Sequence, residues 1–267
     1  MSRPIHATVE GEGPPVVLVH GQPGDGSDWS AVAELLQVDH RVVVPDRPGY
    51  GQTGGAALGL TDGARQVARL LHDLALGPST IVGHSYGGVV ALRLAEIAPE
   101  LAHSLVLVAS AGTRSALTWS DRVLGVPGVG EALAFAGMRG LGHLAAWARS
   151  GMAAQRLVEL GGAVGLPPER LEAHAAAWRS GPMWRSFAAE QRSLLAETPL
   201  VEAGLGSIGV PVYVIAGRRD VVVRPRAAKE LARLVPGARL VWLPGGHLLP
   251  WQCPAEVAAI VARAAAG

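Results

Sequence analysis

The chain has 267 residues, 49% of them apolar, a length that accommodates one large α/β domain or two small ones with a sizeable core. Its 23 Lys and Arg residues against 22 Asp and Glu leave a formal net charge of +1, which gives no electrostatic basis for binding nucleic acid or an anionic membrane surface. The single cysteine, Cys253, excludes an internal disulfide framework and a multi-cysteine metal site.

The N-terminal residues lack the apolar stretch that a signal peptide requires. A charge-free stretch at residues 74–92 is long enough to span a bilayer, but glycine and proline pairs interrupt it. A strand, a turn and a helix explain that stretch better than a membrane span does. We therefore expect a soluble protein in the cytoplasm.

Short apolar runs alternate with amphipathic stretches along most of the chain. The apolar runs predict strands at 16–20, 41–45, 80–82, 104–109, 210–216 and 239–243. The amphipathic stretches predict helices at 28–36, 61–76, 86–97, 224–234 and 254–265. Strands that are apolar throughout, alternating with such helices, indicate an α/β fold with a mostly parallel central sheet covered on both faces.

The alternation stops between residues 112 and 207. This stretch lacks β-branched runs and holds four of the seven tryptophans. Because it is too long for a loop, we expect a small helical insertion there. The predicted domains are therefore a core formed by residues 1–111 and 208–267, and an inserted helical domain at 112–207.

Residues 83–87 read Gly-His-Ser-Tyr-Gly and stand between a predicted strand and a predicted helix. In that context, Gly-x-Ser-x-Gly holds the serine on a tight, strained turn with its oxygen above the sheet. Gly83 and Gly87 are needed because the strand and helix backbones nearly touch there. Ser85 is the predicted nucleophile.

Candidates for the base and the orienting acid follow two later strands. A serine hydroxyl needs a base, and the base needs an acid that orients it, in the chain order serine, acid, histidine. Asp220 follows the strand at 210–216 and His247 follows the last strand, so both are expected at the same edge of the sheet. The other eight histidines lie in segments with no matching role. A solvated loop aspartate paired with Arg218 or Arg219 is the alternative interpretation of Asp220.

Two glycine-containing loops follow the first two predicted strands. The loop His-Gly-Gln-Pro-Gly at 20–24 is expected to supply one backbone N–H of an oxyanion hole, from Gln22, and Tyr86 the other. An ordinary glycine-rich turn is the alternative. The motif Asp-Arg-Pro-Gly-Tyr-Gly at 46–51 is expected to have a structural role, with tight turns and an Asp–Arg network beneath the site.

These motifs, in this order, resemble the α/β-hydrolase superfamily over essentially the whole chain. The resemblance implies the α/β-hydrolase fold, an esterase- or lipase-like activity with Ser85, Asp220 and His247 as catalytic triad, and a helical cap over the site at 112–207. Haloalkane dehalogenases and epoxide hydrolases of this superfamily carry an aspartate at the position of Ser85, so their chemistries are disfavoured.

The predicted reaction is hydrolysis of a carboxylic ester or a related acyl bond in an apolar acyl substrate. The expected partner is a small-molecule substrate; a homodimer is left open, and no cofactor, metal or nucleic acid is expected. Bulky apolar side chains predicted to bind the substrate are Trp119, Trp147, Met152, Trp178, Met183, Trp184 and Leu248. The alternative is that these side chains only pack the helices of the insertion together.

Two other function classes fit the same residues. The triad could act on a different bond, in carbon–carbon bond hydrolysis, thioester hydrolysis, lactone opening or perhydrolysis. The chain could also be a non-hydrolytic ligand-binding protein or a cyclase, although a binding protein has no need of all three triad residues.

Overall fold

The structure, a computed structural model, describes residues 4–148, 176–179 and 181–267, with the backbone alone for 144–148. Its strands are β1 (Ala7–Glu10), β2 (Pro15–Val19), β3 (Arg41–Pro45), β4 (Ser79–His84), β5 (Ala102–Val108), β6 (Val212–Gly217) and β7 (Arg239–Leu243). They form one sheet in the order β1-β3-β2-β4-β5-β6-β7. Strand β1 pairs antiparallel with β3, and every other neighbouring pair is parallel. The predicted mostly parallel sheet is confirmed.

The helices are α1 (Ser30–Leu36), α2 (Leu60–Asp73), α3 (Tyr86–Ile97), α4 (Trp119–Leu124), α5 (Val129–Ala148), α6 (Met183–Gly204), α7 (Pro225–Leu234), α8 (Leu249–Gln252) and α9 (Pro254–Ala265). The five helices that the sequence predicts with bounds correspond to α1, α2, α3, α7 and α9, and their ends lie within three residues of the predicted ones. Residues 176–179 are also helical. Among the described residues, no helix combines the length and the apolar character that crossing a membrane would require.

Helices cover both faces of the sheet because successive side chains of a strand point to opposite faces. Val17 and Ile81 pack on one face with side chains of α2, α3 and α7. Leu18 and Val82 pack on the other face with side chains of α1 and α9. Burial on both faces explains why these strands are apolar throughout, and it makes the sheet a rigid support for the loops at its carboxyl edge.

Strand β1 was not predicted. Three of its four residues are exposed, and it pairs only with β3, with Thr8 opposite Val44. An exposed edge strand of four residues has no continuous apolar run, and that run was the signal that identified the other strands.

The described residues between β5 and β6 contain helices and short turns but no strand. This agrees with the helical character that the sequence predicts for 112–207. Helix α6 packs against α2 and α3 of the core as well as against α4 and α5. Whether this part of the chain acts as a cap stays a prediction.

Candidate active site

Ser85 lies at the sharp turn between β4 and α3. Its φ of 51° and ψ of −117° place it in a backbone region that non-glycine residues rarely occupy. Cβ atoms built on Gly83 and Gly87 would overlap backbone atoms, of Gly87 and His20 respectively. The glycines therefore permit the close approach that the turn needs, and the serine side chain is presented at the carboxyl edge of the sheet.

Three side chains from separate loops form a hydrogen-bonded relay at this edge. Ser85 Oγ lies 3.1 Å from His247 Nε2, and His247 Nδ1 lies 3.0 Å from Asp220 Oδ2. The second carboxylate oxygen, Asp220 Oδ1, accepts the backbone N–H groups of Val222 at 2.8 Å and Val223 at 2.9 Å. Because a carboxylate only accepts, Nδ1 carries the imidazole proton and Nε2 is free to accept the serine proton. The relay is buried.

His84, directly before the serine, holds the main chain of His247. Its Nε2 lies 2.9 Å from the His247 carbonyl oxygen, and the two rings are 5.0 Å apart between centroids. Burial, followed by the charge of His247, lowers the pKa of His84 from 6.5 to about 3. His84 is therefore neutral and donates from Nε2. The sequence predicts no role for His84, although it adjoins the serine, because its side chain is expected to point to the other side of the turn.

The loop after β2 lies against the nucleophile. A Cβ built on Gly21 would approach the Cβ of Ser85 to 3.2 Å, and both Gly21 and Gln22 line the same cavity as Ser85. The backbone N–H of Gln22 has no hydrogen-bond partner in the part of the chain that the structure describes. Tyr86 begins helix α3, where the first N–H groups lack partners within the helix. The loop and the helix start thus offer the kind of donors that an oxyanion needs.

Arg47 secures this loop from beneath. Its Nε donates to the His20 carbonyl and its Nη2 to the Gly21 carbonyl, each at 2.9 Å. Its Nη1 forms a buried ion pair with Glu190 of α6. Glu190 was not predicted because it stands far from Arg47 in the sequence, in an alanine-rich helix without a recognisable motif.

The expected Asp–Arg network does not form between neighbours. Asp46 instead accepts the backbone N–H groups of Gly26 and Gln52, each at 2.8 Å, while Arg47 bonds to the loop after β2. Adjacent residues leaving a strand point to opposite sides, so the two charged side chains serve different networks.

The relay borders a cavity of about 360 Å³. Residues of the sheet edge and of the 112–207 segment line it together. Apolar side chains in its wall are those of Ala111, Ala116, Leu117, Leu124, Trp178, Phe187, Leu194, Val222, Val223, Leu248 and Trp251. Besides His84, Ser85 and His247, the polar side chains in its wall are those of Gln22, Asp28, Asp121 and Gln191. No group of three or more potential metal ligands occurs among the described residues.

Only some of the predicted substrate-binding residues line this cavity. Trp178 and Leu248 line it, whereas Trp119, Met183 and Trp184 do not. The side chain of Trp119 is 77% exposed, Met183 is buried elsewhere, and Trp184 packs edge-to-face on Phe135 of α5. Their placement outside this cavity gives no support to substrate contact, which stays a prediction for these three residues. The side chain of Trp147 and all of Met152 lie outside the described residues.

Comparison with known proteins decides the family. A family model described as the alpha/beta hydrolase family matches residues 16–260. The chain belongs to this family. This alpha/beta hydrolase is 30% identical over 243 residues to the magnesium-chelatase 30 kDa subunit of Rhodobacter capsulatus. The alignment covers 89% of this chain and 82% of that protein.

Two further matches bear the names of esterases. The chain is 30% identical over 252 residues to the pimeloyl-[acyl-carrier protein] methyl ester esterase of Nitrosomonas europaea, covering 91% of this chain and 92% of that one. A solved structure of a thermophilic esterase from Thermogutta terrifontis superposes with a TM-score of 0.72 at 25% identity, covering 97% and 92% of the two chains. This agreement confirms the alpha/beta hydrolase fold predicted from the sequence.

Proposed function

We propose that this alpha/beta hydrolase cleaves a carboxylic ester through an acyl-enzyme on Ser85, with His247 as general base and Asp220 as the orienting acid. The family, together with relatives named as esterases, makes the protein a hydrolase of ester-like bonds. The roles of the individual residues are our inference from their geometry. A small-molecule substrate in the cytoplasm is part of the same proposal.

In the first half-reaction, His247 Nε2 removes the Ser85 proton as Oγ bonds to the ester carbonyl carbon. The carbonyl oxygen becomes an oxyanion, which the backbone N–H groups of Gln22 and Tyr86 stabilise. The tetrahedral intermediate then collapses, and the imidazolium gives its proton to the departing alkoxide. Asp220 stabilises that imidazolium and fixes the orientation of its ring.

In the second half-reaction, water replaces the alcohol. His247 removes a proton from the water as its oxygen bonds to the acyl carbon. Collapse of the second oxyanion breaks the bond to Ser85, whose oxygen regains the proton from His247. The products are the carboxylic acid and the free enzyme.

The observation that carries this proposal is the relay of two hydrogen bonds at the wall of a cavity. The carboxylate orients the imidazole, and the unprotonated imidazole nitrogen faces the serine oxygen. Such an arrangement activates a serine hydroxyl, which is otherwise a weak nucleophile. A protein that only binds a ligand has no use for it.

We further propose that residues 112–207 form a cap that shapes the acyl pocket. Leu117, Leu124, Phe187 and Leu194 from this segment line the cavity together with the triad. Their apolar character favours an apolar acyl group, which gains free energy when it leaves water.

The test is hydrolysis of p-nitrophenyl esters of increasing acyl length by wild type and Ser85→Ala. We expect ester turnover in the wild type and a loss on the order of 10⁶-fold in kcat in the variant. The matched control is Ser110→Ala, at a buried serine whose Oγ has no hydrogen-bond partner among the described residues. Its activity should stay at the wild-type level. Wild-type inactivity at every acyl length would overturn the ester assignment and direct the search to thioester, lactone and carbon–carbon substrates.

A further inference from the structure

We propose that Arg47 and Glu190 form a clamp that orients the peptide between Gly21 and Gln22, so that helix α6 positions the oxyanion hole. The inference rests on the proposed function, in which the Gln22 N–H stabilises the oxyanion. Arg47 and Glu190 are positioning residues because they act through this peptide and do not touch the reacting atoms.

The clamp acts on the carbonyl oxygen of Gly21. Arg47 Nη2 lies 2.9 Å from this oxygen and His20 Nδ1 lies 2.8 Å from it. The backbone N–H of Arg47 donates to His20 Nε2 at 2.9 Å, so Nε2 is the acceptor and the ring proton is on Nδ1. Both groups therefore donate to the Gly21 carbonyl and fix its direction.

Fixing this carbonyl also fixes the Gln22 N–H. The two groups belong to one planar peptide unit, in which the C=O and the N–H point in opposite directions when the bond is trans. Because the carbonyl is directed towards Arg47 and His20, the N–H is directed away from them. It has no partner among the described residues, and both residues of the peptide line the cavity beside Ser85.

Glu190 fixes the guanidinium that holds the carbonyl. It forms an ion pair with Arg47 and accepts the hydroxyl of Tyr50 at 2.7 Å, and the side chains of Arg47 and Glu190 are 4% and 1% exposed. The guanidinium also lies 4.8 Å from the centroid of the Tyr86 ring, on the residue that supplies the second predicted oxyanion donor. Arg47 thus touches both sides of the proposed oxyanion hole.

A bidentate guanidinium suits this position better than an ammonium would. Arg47 reaches two carbonyl oxygens and one carboxylate from a single planar fork, whereas a lysine offers one point charge on a flexible stem. The burial of the pair also excludes water that would compete for the same carbonyl oxygens.

The test variant is the triple change Arg47→Met, Tyr50→Phe and Glu190→Leu. Removing one member alone would leave a buried charge without its partner and could prevent folding, whereas apolar residues of similar volume are tolerated in place of a buried pair. The conservative variant is Glu190→Asp, which keeps a carboxylate as the counter-charge of Arg47 and as an acceptor for Tyr50.

The matched control is Glu197→Gln. Glu197 also lies on α6 and ties it to the core, but it accepts the backbone N–H groups of Leu60 and Thr61 at the start of α2. A purely structural role of α6 predicts similar effects from both sites. The proposed clamp predicts an effect on catalysis only from the Arg47–Glu190 pair.

The kinetic readout is the ratio of kcat/KM for an ester to that for its thionoester, in which sulfur replaces the carbonyl oxygen. Sulfur accepts hydrogen bonds weakly, so the ratio reports oxyanion stabilisation. It does not depend on the fraction of folded enzyme, because both substrates meet the same enzyme. We expect the triple variant to lose on the order of 10²-fold in kcat for the ester, with KM little changed, and its ratio to fall by a similar factor. Glu190→Asp should keep most of the wild-type ratio, and Glu197→Gln should leave it unchanged.

Crystal structures of the wild type and the triple variant provide a readout that needs no turnover. We expect the Gly21–Gln22 peptide to keep one orientation in the wild type and to rotate or take two orientations in the variant. A folded triple variant with the wild-type peptide orientation and an unchanged substrate ratio would overturn the clamp. If the wild type hydrolyses no ester, the proposed function fails, while the peptide orientation still decides whether the clamp exists.

Discussion

Both carboxylate oxygens of Asp220 accept hydrogen bonds, and the partners of each oxygen predict how the amide of Asp220→Asn would be oriented. Oδ1 accepts two backbone N–H groups, so in Asp220→Asn the amide oxygen occupies that position and the NH₂ group faces His247. His247 Nδ1 must then accept, the ring proton moves to Nε2, and the base can no longer take the Ser85 proton. We expect kcat to fall by about 10⁴-fold with little change in stability. Steady-state kinetics measures kcat, and a thermal melt of the same preparation measures stability. A fall in kcat of less than tenfold would contradict this role of Asp220.

Burial of His84 beside His247 should make the free energy of unfolding depend on pH. Its pKa is lowered by burial to about 3, whereas the unfolded chain takes up the proton near the usual value of 6.5. Above pH 6.5, His84 is neutral in both the folded and the unfolded chain, so it does not change the free energy of unfolding. As the pH falls from 6.5 towards 3, only the unfolded chain takes up the proton, and the folded chain loses stability relative to it. Between pH 7 and pH 5 the free energy of unfolding should drop by about 2 kcal/mol from this group alone.

Urea unfolding of His84→Gln at the two pH values measures this contribution. The glutamine amide can still donate to the His247 carbonyl but does not titrate, so the variant should lose about 2 kcal/mol less than the wild type between pH 7 and pH 5. The control is His72→Gln, on an exposed position of α2, which should follow the wild type. Identical pH dependence of His84→Gln and the wild type would contradict the neutral, buried state of His84.

A functional residue could be predicted where the neighbouring sequence forms a recognisable motif, and not where its role depends on distant contacts. Ser85 was identified because its neighbours must be glycine, and His247 because it follows the last strand in the required chain order. Glu190 meets Arg47 only after the chain has folded, and nothing in its own neighbourhood marks it as buried. The contact between His84 and the main chain of His247 is equally invisible to sequence reasoning.

At the scale of elements, the site depends on how closely β2, β4 and α3 approach one another. A Cβ on Gly87 would overlap the carbonyl oxygens of Val19 and His20, which belong to backbone and cannot rotate away. Gly87→Ala should therefore displace α3 from the loop after β2, cost several kcal/mol on the scale of overpacked cores, and lower kcat together with stability.

The control for this change is Gly137→Ala in α5. Among the described residues, nothing but the adjoining residues and backbone of its own helix lies within 4 Å of a Cβ built there, and Gly137 lies inside the helix. This substitution should raise stability by roughly 0.5–1 kcal/mol, because alanine favours helix over glycine. Chemical denaturation of both variants measures the contrast. A Gly87→Ala protein as stable and active as the wild type would contradict the tight approach at the nucleophile turn.

The strands and helices of the core could be predicted because their periodicity is strong, and the exceptions have physical reasons. Strand β1 lies exposed at the edge of the sheet, and α8 is a single turn of four residues directly after His247. Neither is long or apolar enough to produce a periodic pattern. Each is set by its tertiary neighbours.

At the scale of the molecule, the cavity lies between the core and the 112–207 segment, and under the proposed function its size should limit the acyl group. A volume of about 360 Å³ is near the lower end of small-molecule sites. We expect kcat/KM for p-nitrophenyl esters to be highest for short acyl chains and to fall for chains of about twelve carbons, which the pocket cannot bury. Maximal activity on the longest chains would contradict the assignment of this cavity as the acyl pocket.

The lining of this cavity could be predicted only in part: Trp178 and Leu248 were expected there and line it. Trp119 and Trp184 were expected there because large apolar side chains are typical of acyl pockets, but the first is exposed and the second packs on Phe135. Which side of a helix faces a cavity depends on how the helices pack on the core. Composition shows only that the segment is helical and apolar.

Covalent labelling can test directly whether Ser85 is the nucleophile. Diethyl p-nitrophenyl phosphate transfers its phosphoryl group to an activated serine and releases p-nitrophenol, leaving an adduct that resembles the tetrahedral intermediate. We predict one diethylphosphoryl group per chain, mapped by peptide mass spectrometry to Ser85, with labelling abolished in Ser85→Ala and strongly slowed in His247→Ala. An adduct at another residue, or an unlabelled Ser85 in an enzyme that still hydrolyses esters, would show that Ser85 is not the nucleophile.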